Sequence, residues 1–296
     1  MIVQPNFNWG ISTLGCHELD LPAVCELAQK HGIHQLEIRG LGDSLNLPEY
    51  LEAKFPDGPN SVQQILDQHH QAVIALNSSF NLLGADEAGR TELLAFARWA
   101  EMLDVPFVRI FGGGCMSQPL TDDDLAEAVA NLQWWHQQRD QHQWKTQVAL
   151  ETHTGFSSSD RCLQLQEASG KPLDIIWDTH HTWKQGKESA QATWSKMGPM
   201  IKHVHIKDSV SVPSARHPYS YVLPGEGEFP VDDVLSVLDK NNYQGIVSLE
   251  GDRKWHPYMT DLDTALQTLK TAGWRPTTNP SVITETTEGS VANQSY

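Results

Sequence analysis

Residues 147–151, Gln-Val-Ala-Leu-Glu, form a short apolar run that ends in an acid and is followed by Thr152-His153. Apolar runs of this length are typical of strands buried in a parallel sheet. The next such run, Asp174–Asp178, also ends in an acid, and histidines follow it within three residues. This stretch predicts two consecutive buried strands whose carboxyl ends carry ionisable side chains.

The same alternation of a short strand with an amphipathic helix extends to both sides of this stretch. The predicted strands are Asn8–Leu14, Gln35–Arg39, Ala72–Leu76, Phe107–Phe111, Gln147–Glu151, Asp174–Asp178, His203–Lys207 and Ile246–Glu250. The clearest predicted helices are Leu21–Lys30, Glu87 to about Leu103, a segment capped by Thr121 that runs to about Gln141, and Leu262–Thr271. Eight such units predict a single (β/α)₈ TIM barrel of the α/β class rather than a doubly wound sheet.

Composition and charge narrow the classes of partner. The chain has 296 residues and a net charge of −16, from 21 Lys and Arg against 37 Asp and Glu. This balance argues against nucleic-acid and anionic-membrane partners, which basic clusters normally bind. No apolar run approaches the ~18 residues of a membrane span, so we expect a soluble protein.

Cysteine usage and the N-terminus bear on the cellular compartment. The four cysteines show no Cys-x-x-Cys spacing, which indicates neither a disulfide framework nor a thiolate metal site. The N-terminal residues lack the features of a signal peptide. We therefore expect a cytoplasmic protein.

The first strand is also not followed by a Gly-x-Gly-x-x-Gly motif, so a dinucleotide site is not expected.

Four consecutive predicted strands end in side chains that bind metals, and in a barrel of this type the active site lies at these ends. The strand ends carry Glu151 with His153, Asp178 with His180 and His181, His203 with His205, and Glu250 with Asp252, so that four strands deliver a Glu, an Asp, a His and a Glu to one rim. Charges that point into a barrel rim must be paired or bound to a metal, because burying an unpaired charge is very costly. Three carboxylates and one imidazole suit Mn²⁺, Mg²⁺, Co²⁺ or Zn²⁺, and the majority of oxygen ligands favours the harder ions. We predict one divalent ion, with Mn²⁺ as the first candidate.

The motifs at these strand ends resemble those of the xylose-isomerase-like TIM barrels, the sugar phosphate isomerase/epimerase superfamily. They are Leu150-Glu151-Thr-His153, Trp177-Asp178-Thr-His-His181, His203-Val-His205-Ile-Lys-Asp208, Leu223-Pro-Gly225-Glu226-Gly227 and Ser248-Leu-Glu250. The resemblance implies a barrel domain over residues 1–275, and the polar composition of residues 276–296 predicts a C-terminal tail. It also implies that Glu151, Asp178, His205 and Glu250 bind the metal, that Glu151 and Glu250 transfer protons, and that His181 binds substrate.

Other residues are weaker candidates for substrate binding. His153 lies two residues beyond Glu151, Trp183 offers an apolar wall for a sugar ring, and Arg216 lies in the long loop after strand seven. Several further assignments stay open at this point. Glu37, Arg39 and Arg109 each suit a rim ion pair or a substrate clamp. Lys207 could orient a ligand carboxylate or form a salt bridge with Asp208 or Glu226. His203 could pack against the site or support its ligands.

The predicted function is a divalent-metal-dependent isomerase or epimerase that acts on a sugar or related polyhydroxy ketone by proton transfer through an enediolate. A dehydratase of the inosose or dehydroshikimate type is the first alternative, and a non-catalytic ligand-binding barrel is the second. Ketose 3-epimerases of the family carry a second Glu where this chain has Ser157, which disfavours that activity. The sequence leaves open whether the chain forms a homo-oligomer.

Overall fold

The computed structural model describes residues 7–271, in which eight parallel strands close into a barrel. The strands are β1 (Asn8–Ser12), β2 (Gln35–Ile38), β3 (Ala72–Asn81), β4 (Phe107–Phe111), β5 (Gln147–Glu151), β6 (Asp174–Asp178), β7 (Ile201–Ile206) and β10 (Ile246–Leu249). They follow one another around the barrel in this order, and β10 pairs with β1 to close it. The predicted TIM barrel is confirmed. The predicted tail over residues 276–296 lies outside the described residues.

Helices alternate with the strands around the barrel. Their bounds are α1 (Leu21–His31), α2 (Leu47–Lys54), α3 (Pro59–Gln68), α4 (Glu87–Met102), α5 (Asp122–His142), α6 (Ser159–Ser169), α7 (Thr179–Lys184), α8 (Ala190–Met197), α9 (Val231–Lys240) and α10 (Leu262–Thr271). A search of the described residues finds no helix that is both long and apolar enough to cross a membrane.

Local sequence explains where the predicted helices begin and end. The side chain of Asp20 accepts a hydrogen bond from the first turn of α1, and Gly32 ends that helix with a left-handed backbone at φ 72°. Thr121 and Asp124 form a reciprocal capping box at the start of α5, as the Thr-Asp-Asp-Asp run predicts.

The sequence pattern missed three parts of the fold. Helices α2 and α3 lie between β2 and β3, where no helix was predicted. Strand β3 continues to Asn81, five residues beyond its predicted end at Leu76. An antiparallel hairpin of β8 (Asp208–Val210) and β9 (Ser220–Val222) follows β7, in the segment predicted as a long loop. Its strands have three residues each, too short for a periodic pattern to show.

Strand register determines which side chains meet at the carboxyl end of the barrel. Asp178 pairs with His205 across β6 and β7, and Ser248, two residues before Glu250, pairs with His205 across β7 and β10. Glu151 is the last residue of β5. Because parallel neighbours end at one rim, these side chains converge there.

Candidate active site and metal centre

The four predicted ligands lie together at the carboxyl end of the barrel. Glu151, Asp178, His205 and Glu250 are all buried, and one oxygen or nitrogen atom from each lies within 4.8 Å of those of the other three. We call this group the quartet. Its three carboxylates repel one another in a site shielded from water, so a nearby cation is needed to stabilise their ionised forms.

Glu37 at the end of β2 orients the imidazole of His205. Nε2 of His205 lies 2.6 Å from Oε2 of Glu37, and His203 Nε2 lies 2.8 Å from the same oxygen. Burial alone would raise the pKa of Glu37, but the two imidazoles outweigh this effect and hold it well below its usual range. Glu37 is therefore an ionised partner of the histidine pair and not a substrate clamp.

The other ring nitrogen of His205 faces the carboxylates. Nδ1 lies 3.4 Å from Oε2 of Glu250 and 4.0 Å from Oε1 of Glu151, and it has no hydrogen-bond partner among residues 7–271. Burial would lower the pKa of His205, but Glu37 and Glu250 outweigh it and raise the pKa well above its usual value. An incoming cation would displace a proton from Nδ1. A nitrogen without a hydrogen-bond partner beside three carboxylates fits a divalent metal ion with mixed oxygen and nitrogen ligands.

Lys207 contacts two of the quartet carboxylates. Its Nζ lies 2.6 Å from Oε2 of Glu250, 2.7 Å from Oδ2 of Asp178 and 3.2 Å from Oδ2 of Asp252. Of the two options for Lys207, the salt bridge to Asp208 or Glu226 does not form, because Lys207 points into the barrel rim. Burial would raise the pKa of Glu250, but Lys207 and His205 hold it well below its usual range. Burial raises the pKa of Asp178 to about 7, although Lys207 opposes the shift.

Asp208, adjacent to Lys207, organises the loop after the hairpin instead. Its Oδ2 accepts hydrogen bonds from the backbone N–H groups of Gly225 and Gly227, each at 2.9 Å, and its Oδ1 accepts one from Phe229 at 2.9 Å. A Cβ atom at Gly227 would lie 2.1 Å from Oδ1 of Asp208. Only glycine allows this close approach, which accounts for the second glycine of the Gly-Glu-Gly motif.

Arg109 forms the rim ion pair that was one of its two options. Its Nη1 donates to Oε2 of Glu151 at 2.5 Å, and its Nη2 donates to the carbonyl of Ser78 at 3.1 Å. The guanidinium also lies over the ring of Phe111, 3.9 Å from the centroid. These contacts fix the orientation of the Glu151 carboxylate.

A cavity of about 720 Å³ opens above the quartet. Glu151 and Glu250 line it, whereas Asp178 and His205 lie beneath. His153 and His181 form part of one wall, with ring centroids 4.7 Å apart. Burial lowers the pKa of His153 to about 4 and that of His181 well below its usual value, so both imidazoles are neutral.

Of the two other predicted substrate-binding residues, one lines this cavity. Arg216 does so, with its guanidinium over the ring of Trp255 at 5.1 Å. Trp183 does not: it packs against Phe229 and His180, with centroids 5.4 and 5.6 Å away. The aromatic residues of the lining are Phe111, Tyr219, Tyr221 and Trp255. Sequence reasoning missed the two tyrosines because they belong to the unpredicted hairpin region.

Three smaller groups among the described residues also have metal-ligand geometry. They are Glu37 with His203 and His205, Glu151 with His153 and His181, and Asp178 with His180 and His181. In the first, both imidazoles already face a single oxygen of Glu37, His205 through a hydrogen bond and His203 at 2.8 Å. Each of the three contains only one carboxylate. The quartet is the group that combines three carboxylates with access to the cavity.

The barrel has counterparts among known proteins. A family model described as the xylose isomerase-like TIM barrel matches residues 25–272. An inosose isomerase from Halalkalibacterium halodurans is 22% identical over 255 residues, which cover 83% of this chain and 87% of that protein. An inosose dehydratase from Clostridium beijerinckii is 27% identical over 113 residues, and the match spans 34% of this chain but only 38% of the dehydratase. A crystal structure of the IolI protein with a bound zinc atom matches with a TM-score of 0.69 at 21% identity, covering 90% of this chain and 96% of that one.

Proposed function

Because the chain belongs to the xylose isomerase-like TIM barrel family, we propose that it is a metal-dependent isomerase or epimerase of a sugar or related polyhydroxy ketone. The quartet would hold one divalent ion, with Mn²⁺ as the first candidate. The inosose isomerase among its relatives supports this class of substrate, and the zinc bound by the IolI protein supports a divalent ion.

One observation carries the proposal: two carboxylates face the same cavity from different strand ends. Glu151 is the last residue of β5, and Glu250 directly follows β10. Both lie beside His205. A divalent ion at the quartet would stabilise the negative charge that develops on substrate oxygens when a proton next to a carbonyl is removed. Isomerisation or epimerisation needs a base to remove that proton and an acid to return one.

The chain's own side chains suit these two tasks. Arg109 fixes the orientation of Glu151, and Lys207 keeps Glu250 ionised at neutral pH. Glu250 binds Lys207 and faces His205 through Oε2, which leaves Oε1 for a substrate proton. Neutral His181 and His153 line the cavity and would bind substrate hydroxyl groups, and Arg216, which also lines it, would close over the substrate.

A dehydratase is the second candidate. The inosose dehydratase among its relatives supports it, and so does the position of His153. Nδ1 of His153 has no hydrogen-bond partner among the described residues, and the ring faces the cavity. A neutral imidazole in that position would donate a hydrogen bond from its ring N–H to the departing hydroxyl of a β-hydroxy ketone, which would leave as water with the proton that a carboxylate takes from the neighbouring carbon.

Solvent deuterium exchange tests the proposed function. The purified protein with added Mn²⁺ would be incubated in D₂O with a panel of ketoses, inososes and hydroxy-keto acids, and deuterium incorporation would be followed by NMR. We expect one class to exchange a carbon-bound proton, and to do so far more slowly with Glu151→Gln and Glu250→Gln. Elimination of water would identify the dehydratase. Binding without exchange or elimination across the panel would support the non-catalytic barrel instead.

A further inference from the structure

The cavity above the quartet is basic although the chain as a whole is acidic. The chain carries a net charge of −16. Three acids line the cavity, Glu151, Glu250 and Asp252, against six bases. The bases are Arg39, Arg109, Lys184, Lys187, Lys207 and Arg216. A divalent ion at the quartet would make the cavity more positive still.

Most of the basic groups near the cavity floor already have acidic partners. Arg109 is paired with Glu151, and Lys207 contacts three carboxylates. Arg39 differs from both. It is only 6% exposed, yet no carboxylate oxygen lies within 4.0 Å of its guanidinium among residues 7–271.

The hydrogen bonds of Arg39 use only part of its capacity. Nη2 donates to the hydroxyl of Ser79 at 2.8 Å, and Nη1 donates to the carbonyl of Leu45 at 3.3 Å. Both acceptors are neutral. A guanidinium has five N–H groups in a planar fork, so three remain available on a side chain that lines the cavity.

Burying a charge without a partner is costly. Burial and the nearby charge of Arg109 lower the pKa of Arg39 to about 10, so the guanidinium still carries its charge at neutral pH. A cation that is buried in a cavity wall, lacks an acidic partner and has free donors is the arrangement that a planar oxyanion completes through paired, charge-assisted hydrogen bonds.

We propose that the substrate is anionic, and that Arg39 binds its carboxylate or phosphate group at the β2 side of the cavity. This inference rests on the proposed function, since it names the substrate class of the same site. The polyhydroxy ketone would then be a keto acid or a sugar phosphate. Its reacting carbon would lie toward Glu151 and Glu250 and its anionic group toward Arg39. The specificity of the site for charged over neutral sugars would thus come from a residue that takes no part in proton transfer.

Binding of non-reacting analogues tests this proposal without turnover. The probes are sorbitol, gluconate and sorbitol 6-phosphate, which share a six-carbon chain and differ in their anionic group. Isothermal titration would compare the Mn²⁺-supplied wild type with Arg39→Gln. Arg98→Gln is the matched control, because it removes the same charge from an exposed position on α4 that does not line the cavity. Thermal unfolding would verify that each variant is folded.

We expect the wild type to bind gluconate or sorbitol 6-phosphate about 10–100-fold more tightly than sorbitol, as suits charge-assisted hydrogen bonds. Arg39→Gln should remove most of this preference, and Arg98→Gln should keep it. If Arg39→Gln weakens the binding of gluconate, the anionic group of the substrate is a carboxylate. If it weakens the binding of sorbitol 6-phosphate, the group is a phosphate. Arg39→Lys keeps the charge without the planar fork and should give an intermediate affinity. It also serves as the test variant if Arg39→Gln does not fold.

The proposal is overturned if the wild type shows no preference for either anion. It is also overturned if folded Arg39 variants bind both anions as tightly as the wild type. In that case the metal ion alone would bind the carboxylate of gluconate. Failure of the proposed function has a different signature. In that case the deuterium exchange panel shows no reaction with any compound, while Arg39-dependent binding of an anion persists.

Discussion

Nε2 of His205 on β7 lies 2.6 Å from Oε2 of Glu37, which reaches it from β2 across the barrel. This contact leaves Nδ1 as the nitrogen that faces Glu151 and Glu250. A carboxylate that accepts a hydrogen bond from one ring nitrogen fixes the ring orientation and strengthens the other nitrogen as a metal ligand. Glu37 is thus a positioning residue for the quartet.

The first prediction concerns this support of His205. Glu37→Gln should weaken metal binding about 10–100-fold, the usual effect of removing the carboxylate behind a metal-binding histidine. Titration of Mn²⁺ into the metal-free protein would measure the change. His203→Asn is the control. It removes the second imidazole that faces Oε2 of Glu37 and leaves the four residues of the quartet intact. An unchanged affinity in a folded Glu37→Gln protein would refute the role of Glu37.

A second prediction separates metal binding from proton transfer. Glu250→Gln keeps an oxygen ligand and the side-chain shape but removes the base. We expect a folded protein that retains most of its metal and loses activity about 10²–10⁴-fold, as is typical when a general base is removed. Asp178→Asn should instead weaken metal affinity, because Asp178 lies beneath the cavity lining, and excess Mn²⁺ should restore part of its activity.

Metal content and solvent deuterium incorporation, measured side by side for both variants, distinguish these outcomes. Exchange at the wild-type rate in Glu250→Gln would mean that Glu250 is a ligand alone. A mechanism with one base, centred on Glu151, would then replace the mechanism with two carboxylates.

The third prediction concerns the loop that Asp208 organises. In Gly227→Ala the new Cβ would lie 2.1 Å from Oδ1 of Asp208, so the loop must move and its hydrogen bonds to Asp208 must weaken. We expect a loss of about 1–3 kcal/mol in the free energy of unfolding, as for other overpacked sites. Gly89→Ala on α4 is the control, since a Cβ there would make only ordinary contacts, the nearest 3.4 Å from Asp86 Oδ1. Equal stability of the two variants in denaturant titrations would contradict this account of the motif.

Much of the fold could be predicted from the sequence because strand and helix periodicities are strong in a barrel. The bounds of β4, β5, β6 and α10 agree with the prediction to the residue. The meeting of the four quartet side chains also followed from the sequence, since parallel strand ends share one rim. A side chain at the carboxyl end of a strand has a known position along the barrel axis. That position alone is enough to predict that the four side chains lie close together.

The partners of individual side chains could not be predicted in the same way. Lys207 follows β7 directly, but the sequence does not show whether its long side chain reaches inward to Asp178 or outward to Glu226. Trp183 faces away from the cavity because its neighbours on the short helix α7 take the inward positions. Arg39 was identified as a candidate, but only the structure shows that it is buried without an acidic partner among the described residues.

The central claim is that the quartet holds a single divalent ion, and metal content per chain tests it most directly. Wild-type protein that is reconstituted with Mn²⁺ and freed of excess metal should carry close to one ion per chain by elemental analysis. His205→Ala should carry almost none, whereas His69→Ala, at a half-buried position outside the quartet, should match the wild type. Wild-type protein without bound metal, or His205→Ala with a full equivalent, would contradict the account.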